Sequence, residues 1–282
     1  MPPKILIVDD DAGLQDLIHV ALAREGYELL SAPNAFVGLE ILEREHVDLA
    51  LLDVMMPKMD GLTMLSQIRE RDKELRVIVM TALSTPETAI SALRDQACDL
   101  LSKPFDIQQL LSAIKTALTL DPMEINIEVL SARPEWIELR VPCNMAAIDP
   151  LERLMSQLKT DLPDATRESV TYAFREMLRN AIEHGGKNDS EQHVEIGYLH
   201  TPRLVMYRIK DPGAGFNFER LQHAAILNPP GDPIHHEQVR EELGMRPGGF
   251  GILIARDMMD EMIYNERHNE VILIKYLDLK RG

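Results

Sequence analysis

A handful of short apolar runs, each ending at a polar residue, constrains this chain more than any other feature. Ile5-Leu6-Ile7-Val8 runs into Asp9-Asp10-Asp11, Leu49-Ala50-Leu51-Leu52 into Asp53, Val77-Ile78-Val79-Met80 into Thr81, and Leu100-Leu101 towards Lys103-Pro104. A continuous apolar run bounded by turn residues reads as a parallel strand buried on both faces. Between the runs the period changes. Leu14, Leu17, Ile18, Ala21 and Leu22 recur at helical spacing before Gly26, and Ile107, Leu110, Leu111, Ile114 and Leu118 make a last amphipathic stretch. The alternation predicts five strand–helix units in a doubly wound, parallel α/β sheet, whose ligand site lies at the carboxyl ends of its strands.

The polar residues at those ends carry the chemistry. Asp9, Asp10, Asp53, Thr81 and Lys103 all fall at or just beyond the end of a predicted strand. Any one of them is explained by ordinary strand-end capping; the five together are not. Three carboxylates gathered at one edge of a sheet repel one another unless a cation joins them, and an all-oxygen donor set suits Mg2+. Magnesium with a lysine beside it can neutralise the charge that develops when a phosphoryl group moves onto a carboxylate.

The segments Ile5 to Asp11, Asp53-Val-Met-Met-Pro-Lys-Met-Asp-Gly61, Thr81-Ala82 and Lys103-Pro104-Phe105 resemble the response-regulator receiver family over its whole length. That resemblance implies a flavodoxin-like, five-stranded domain with Asp53 as phosphoacceptor and Asp9 and Asp10 as the acid pair. It implies Mg2+ held by these acids and the Met55 carbonyl, Lys103 paired with the phosphoryl group, Thr81 bonded to it through its hydroxyl, and a cis Lys103–Pro104 bond. The chain departs from the family at one point. Many receivers carry an aromatic switch residue three positions before the lysine; Leu100 stands there, so the ring to which Thr81 would be coupled is missing.

At ~100–200 residues per domain, 282 residues leave room for a second domain. Thr119, Asp121 and Pro122 suggest a break. The expected organisation is a receiver at 1–120, a linker at 121–124 and a second domain at 125–282. A formal net charge of −16, with no basic stripe in the second half, argues against a nucleic-acid-binding output, which would need clustered Lys and Arg. No apolar run reaches ~18 residues, so membrane insertion is not expected. Met-Pro-Pro-Lys leads directly into a strand pattern rather than a signal peptide, and the two cysteines, Cys98 and Cys143, lack the spacing of a disulfide framework or a zinc site. The expected location is the cytoplasm.

Beyond residue 124 the pattern changes. Trp136-Ile-Glu-Leu-Arg-Val141 alternates like a half-buried antiparallel strand, and 195–199, 203–210 and 271–277 continue the theme. Helices are predicted at about 147–158 and from Pro163, giving an α+β domain. In the second helix Val170, Ala173, Phe174, Met177, Leu178, Ala181 and Ile182 form a core stripe, leaving Glu176, Asn180 and Glu183 together on another face. Two glycine clusters follow. Asp211-Pro-Gly-Ala-Gly215 comes after a strand, and Gly248-Gly-Phe-Gly251 precedes an apolar helix at 252–259. Glycine lets a backbone approach phosphate closely, and a helix N-terminus offers unpaired N–H groups.

This order of motifs resembles the GHKL ATPase superfamily of histidine kinases, gyrase-type enzymes and chaperone ATPases. Glu176-x-x-x-Asn180-Ala-Ile-Glu-His184-Gly has the form seen in anti-sigma-factor serine kinases, and Met259-Asp260-Glu261, Tyr264-Asn265 and Asn269-Glu270 are similar to that subgroup. The resemblance implies an α+β sandwich in which Asn180 coordinates Mg2+ between ATP phosphates and Asp211 bonds the adenine amino group. Gly213 and Gly215 would shape the base pocket, and Gly249 and Gly251 would hold the phosphates beneath a lid at 216–247. Glu176 would be the general base for a protein hydroxyl. His235-His236-Glu237-Gln238-Val239-Arg240 is faintly similar to the phosphoacceptor motif of sensor kinases. It lies between the glycine motifs rather than on a helix preceding them, and is read as part of the lid.

Together the resemblances imply a response regulator, phosphorylated by a sensor histidine kinase, whose output is an ATP-dependent serine/threonine protein kinase. Its partner would be an anti-sigma antagonist or a sigma factor-like protein. Two other outputs stay open: a non-catalytic module that sequesters a sigma factor or another regulator with ATP as structural ligand, and a kinase acting on a partner's histidine. Both families often form homodimers, though no heptad seam marks an interface.

Overall fold

The computed structural model describes residues 2–82, 85–119, 127–133, 135–158, 162–216, 224–229, 231–232, 234–242 and 249–277. The expected linker at 121–124 and much of the expected lid lie outside these residues. Contacts divide the chain into two compact units, Met1–Glu128 with Asp149–Thr160, and Val129–Ile148 with Asp161–Gly282. Among the described residues no helix is long and apolar enough to cross a membrane.

The first unit is the expected doubly wound sheet. Strands β1 (Lys4–Val8), β2 (Glu28–Ala32), β3 (Leu49–Asp53), β4 (Arg76–Thr81) and β5 (Asp99–Ser102) lie in the order β2-β1-β3-β4-β5. All their pairings are parallel. Every residue of β3 is buried, as its unbroken apolar run requires. Strand β2 has a single buried residue, Ala32, because it lies at the edge. Helices α1 (Ala12–Ala23), α2 (Ala35–Arg44), α3 (Gly61–Arg71), α4 (Pro86–Arg94) and α5 (Ile107–Thr119) follow the strands in turn. Ile5, Ile7, Leu49, Leu51, Ile78 and Met80 of the sheet pack with Ile18 and Leu22 of α1 and with Leu110 and Ile114 of α5.

Caps close the helices next to the strand ends. Asp11 begins α1, its side chain accepting from the Gly13 and Leu14 N–H groups at 2.9 and 3.1 Å. Asp60 does the same for α3, accepting from Thr63 at 2.7 Å. Gly61 then passes so close to the Asp53 carbonyl that any side chain there would collide with it.

One more helix belongs almost wholly to this unit. In α6 (Ile148–Gln157), Leu151, Leu154 and Met155 are buried. Arg153 donates from Nε to Asp99 Oδ1 at 2.8 Å and from Nη2 to Asp99 Oδ2. One turn on, Gln157 donates to Ser102 Oγ at 2.6 Å.

The second unit holds a six-stranded sheet in the order β10-β11-β9-β8-β7-β6. Its strands are β6 (Glu128–Arg133), β7 (Trp136–Pro142), β8 (His193–Thr201), β9 (Leu204–Lys210), β10 (Glu261–Tyr264) and β11 (Glu270–Tyr276). The pairs from β7 through to β10 are antiparallel, as the alternating pattern predicts. Strands β6 and β10 were not predicted; both lie at sheet edges and neither has a buried residue. Helix α7 (Asp164–Asn180) buries Val170, Ala173, Phe174, Met177 and Leu178 and runs on into a π-helical turn at Ala181–Gly185. The Phe174 ring lies 4.5 Å from Tyr207, itself 5.1 Å from Tyr198, so the helix is keyed to the sheet by buried aromatics. Two shorter α-helices, α8 (His235–Glu242) and α9 (Gly251–Met258), follow in the same unit.

Candidate functional site

At the carboxyl ends of β1 and β3, Asp9, Asp10 and Asp53 each place a carboxylate oxygen within 4.8 Å of the others. Asp9 and Asp53 are buried and Asp10 is exposed. Lys103, one residue past β5, donates to Asp9 Oδ2 at 2.7 Å and to Asp53 Oδ1 at 2.6 Å. Thr81 is buried at the end of β4, and the Lys103–Pro104 peptide is cis. Met55 follows Asp53 in a loop closed by a 3.1 Å bond from the Gly61 N–H to the Val54 carbonyl. The sheet thus gathers at one end the four charged residues drawn from three separated segments. Asp11, the third acid of its run, is taken by the α1 cap.

Burial pushes the Asp53 carboxyl up, the Lys103 ammonium pulls it back, and the Asp9 and Asp10 charges push it up again, leaving it above the ordinary value. For Lys103 burial works against the charge, but the bonds to Asp53 and Asp9 outweigh it and raise the pKa. Three hard oxygen donors with one exposed member fit a Mg2+ ion; the set lacks the nitrogen and sulfur donors that softer metals favour.

The second unit contains a cavity of ≈ 1200 Å³, and Glu176, Asn180, Asp211, Gly213, Gly215, Gly249 and Gly251 all line it. Its size exceeds that of most ligand pockets. Glu176 and Asn180 lie one helical turn apart near the end of α7, and a side chain at Gly251, the first residue of α9, would collide with the Glu176 carboxylate. Asp211 follows β9. Its Oδ1 accepts from the Gly213 N–H at 2.8 Å, and burial raises its pKa against that bond. Gly185 is packed against Asp211 so closely that a side chain would displace the carboxylate. Gly215 has φ +85° and abuts the Arg267 carbonyl, so its place in the motif demands glycine twice over. Room for a nucleotide and a half-buried carboxylate held by backbone make this cavity a fit for ATP.

Sequence reasoning named Asn269 but missed its task, which is to hold the Asp-x-Gly-x-Gly turn in shape. The Asn269 carbonyl accepts from the Asp211 N–H at 2.9 Å, and Asn269 Nδ2 reaches the Asp211 and Gly213 carbonyls at 3.3 Å. Asn265 in turn holds Asn269, donating to its Oδ1 at 2.9 Å. The resemblance had marked both asparagines, but it assigned neither of them a task. Phe216, Tyr264 and His268, whose rings lie 5.4–5.9 Å apart, close the same end of the cavity. In the expected lid, His236 is buried, bonds Asn228 through Nδ1 and stands edge-on to Phe250 at 4.3 Å. That setting gives it a packing role.

Two family models match the chain: the response regulator receiver domain over residues 5–115 and the histidine kinase-like ATPase domain over 144–275. Regulatory protein AtoC of Escherichia coli (strain K12) is 36% identical over 207 residues, 72% of this chain and 44% of that protein. The DNA-binding dual master transcriptional regulator RpaA of Synechocystis sp. (strain ATCC 27184 / PCC 6803 / Kazusa) is 35% identical over 118 residues, 41% of this chain and 49% of that protein. The chain therefore spans less than half the length of either. Sporulation initiation phosphotransferase F of Bacillus subtilis (strain 168) is 38% identical over 120 residues, 43% of this chain but 97% of that protein. Matched along nearly the whole of that relative and carrying a histidine kinase-like ATPase domain behind the matched region, this chain belongs to the response-regulator family, with a receiver joined to an ATP-binding type of output domain.

Proposed function

We propose that this protein is a two-component response regulator, phosphorylated on Asp53 by a sensor histidine kinase, whose output is an ATP-dependent serine/threonine protein kinase of the anti-sigma-factor type. Glu176 carries the kinase reading: it lines the same cavity as Asn180 and Asp211, with its carboxylate beside the start of α9. A domain that only senses nucleotide has no need of a carboxylate there.

In the receiver, an Asp53 oxygen takes the phosphoryl group as its bond to the partner's histidine nitrogen breaks. Lys103, already bonded to the other Asp53 oxygen, stays close enough to balance the added charge. Asp9, Asp10, Asp53 and the Met55 carbonyl would hold Mg2+, which supplies the remaining neutralisation. In the second domain Asn180 would hold the Mg2+ that accompanies ATP, Asp211 would accept from the adenine amino group, and Gly213 and Gly215 leave room for the base. Gly249 and Gly251 bring backbone to the phosphates. Glu176 takes the proton from the hydroxyl of the protein substrate. The net charge of −16 supports a protein partner, an anti-sigma antagonist or sigma factor-like protein, over nucleic acid.

The test is transfer of labelled phosphate from ATP to such a partner by wild type and Glu176→Gln. Transfer falls by about 10²–10⁴-fold in the variant while ATP binding persists. Undiminished transfer removes Glu176 as the base. ATP bound but never consumed favours the sequestering module, and an acid-labile product identifies histidine as the acceptor.

A further inference from the structure

Leu100 is buried where a switching ring would stand, so the state of Asp53 must be reported by another element. We propose that α6 is that element, clamped to β5 by Asp99–Arg153 and Ser102–Gln157 and released when Asp53 is phosphorylated; this rests on reading the ATPase domain as the output. Asp99 is 3% exposed, and Arg153 grips both its oxygens with two different nitrogens, the fork geometry that gives such pairs their directionality. Gln157 bonds Ser102, the residue immediately before Lys103. Two contacts three residues apart on β5 thus match two contacts four apart on α6, and fix the helix in register with the strand.

Chain connectivity makes the clamp consequential. The helix is flanked on both sides by segments of the second unit: β7 and the turn at Met145–Ala147 precede it, and α7, bearing Glu176 and Asn180, follows. The cavity-lining helix is therefore tethered, a few residues away, to a helix that belongs to the receiver. Lys103 is bonded to Asp53 by its side chain and to the Thr81 carbonyl by its N–H at 2.7 Å. A phosphoryl group on Asp53 offers Lys103 new oxygens and draws it inward. Ser102 moves with it, its bond to Gln157 is lost, and α6 loosens together with the start of α7.

Amide hydrogen exchange of residues 148–158 in the full chain tests this, with and without beryllofluoride and Mg2+ as the phosphoryl mimic. Wild type, Arg153→Gln and the double variant Asp99→Asn/Arg153→Gln are compared; the double variant leaves no uncompensated buried charge if the single one is unstable. In wild type the mimic speeds exchange in α6 by about tenfold or more. In the variants α6 exchanges at the fast rate under both conditions, and the dependence of ATP affinity on the mimic disappears. Exchange in α6 that ignores the mimic in wild type, or that is the same in wild type and both variants, overturns the clamp. A chain that binds no ATP while α6 still responds to the mimic sinks the output reading and leaves the clamp standing.

Discussion

In the receiver, three carboxylates and a lysine share a space in which their oxygens lie within 4.8 Å of one another, and two of the acids are buried. In the ATPase domain, a cavity of ≈ 1200 Å³ is lined by the expected motif residues, and its shape depends on missing side chains at Gly185, Gly215 and Gly251. Both sites are suited to phosphate, by different means. The first concentrates charge, and its construction is limited by electrostatic repulsion; the second clears room, and is limited by sterics. A single change of charge should therefore disable the receiver, and a single added methyl group should disable the ATPase domain. Neither change should cross over to the other site.

The sharpest break is Asp53→Asn. Phosphorylation by a small phosphodonor is lost altogether, read by intact mass, while ATP binding stays within about twofold; retained acceptance would move the phosphoacceptor elsewhere. Next in size is the effect of Mg2+ on the acid cluster. At a hundredfold excess over its Kd the ion stabilises the protein by about 2.7 kcal/mol, and Asp10→Ala, which removes the cluster's exposed ligand, should abolish most of the thermal shift. An equal shift in the variant would place the ion elsewhere. Gly215→Ala tests the other half: a left-handed backbone costs a non-glycine residue ~1–2 kcal/mol before the Arg267 carbonyl is displaced, so ATP affinity falls by about tenfold or more. Phosphorylation of Asp53 should be untouched in that variant, and a loss there would end the separation of the two sites.

The smallest effect is on pH dependence. Asp53 has a folded pKa raised above the ordinary 3.8, chiefly by burial. Its contribution to stability is fully present below that value and is lost as pH rises through the raised one. Urea melts from about pH 4 upwards should therefore show Asp53→Asn gaining on wild type as pH rises, and then levelling off. A gain in the opposite direction would mean that Lys103 overcompensates for burial.

The three strands to which the sequence reading assigned no residues, β2, β6 and β10, share one property. Each is the edge of its sheet, with one buried residue in β2 and none in β6 or β10. An edge strand needs little apolar contrast, so a reading built on apolar runs passes over it. Central strands such as β3 and β9 stood out for the opposite reason. Candidate site residues were legible where local spacing carried the information: Glu176 and Asn180 one turn apart, and Asp211 with two glycines beside it. Asn269 was named with its motif, but its task was not legible, because it holds backbone carbonyls 56 and 58 residues away.

By itself the sequence determined the alternation of elements, the placing of Asp9, Asp53, Thr81 and Lys103 at strand ends, and the glycines flanking the cavity. These follow from periodicity and local backbone demands, which act over a few residues. Tertiary structure alone decided which partner each charged side chain took. Asp11 went to a helix cap while Asp9 went to Lys103, and Arg153, on a helix that follows the expected domain boundary, closed on Asp99 of the receiver. A buried charge requires a partner, but its sequence neighbours do not say which one. That choice is made only when residues 54 or 94 positions apart are brought within hydrogen-bonding distance, and the low-dielectric interior makes any other arrangement costly.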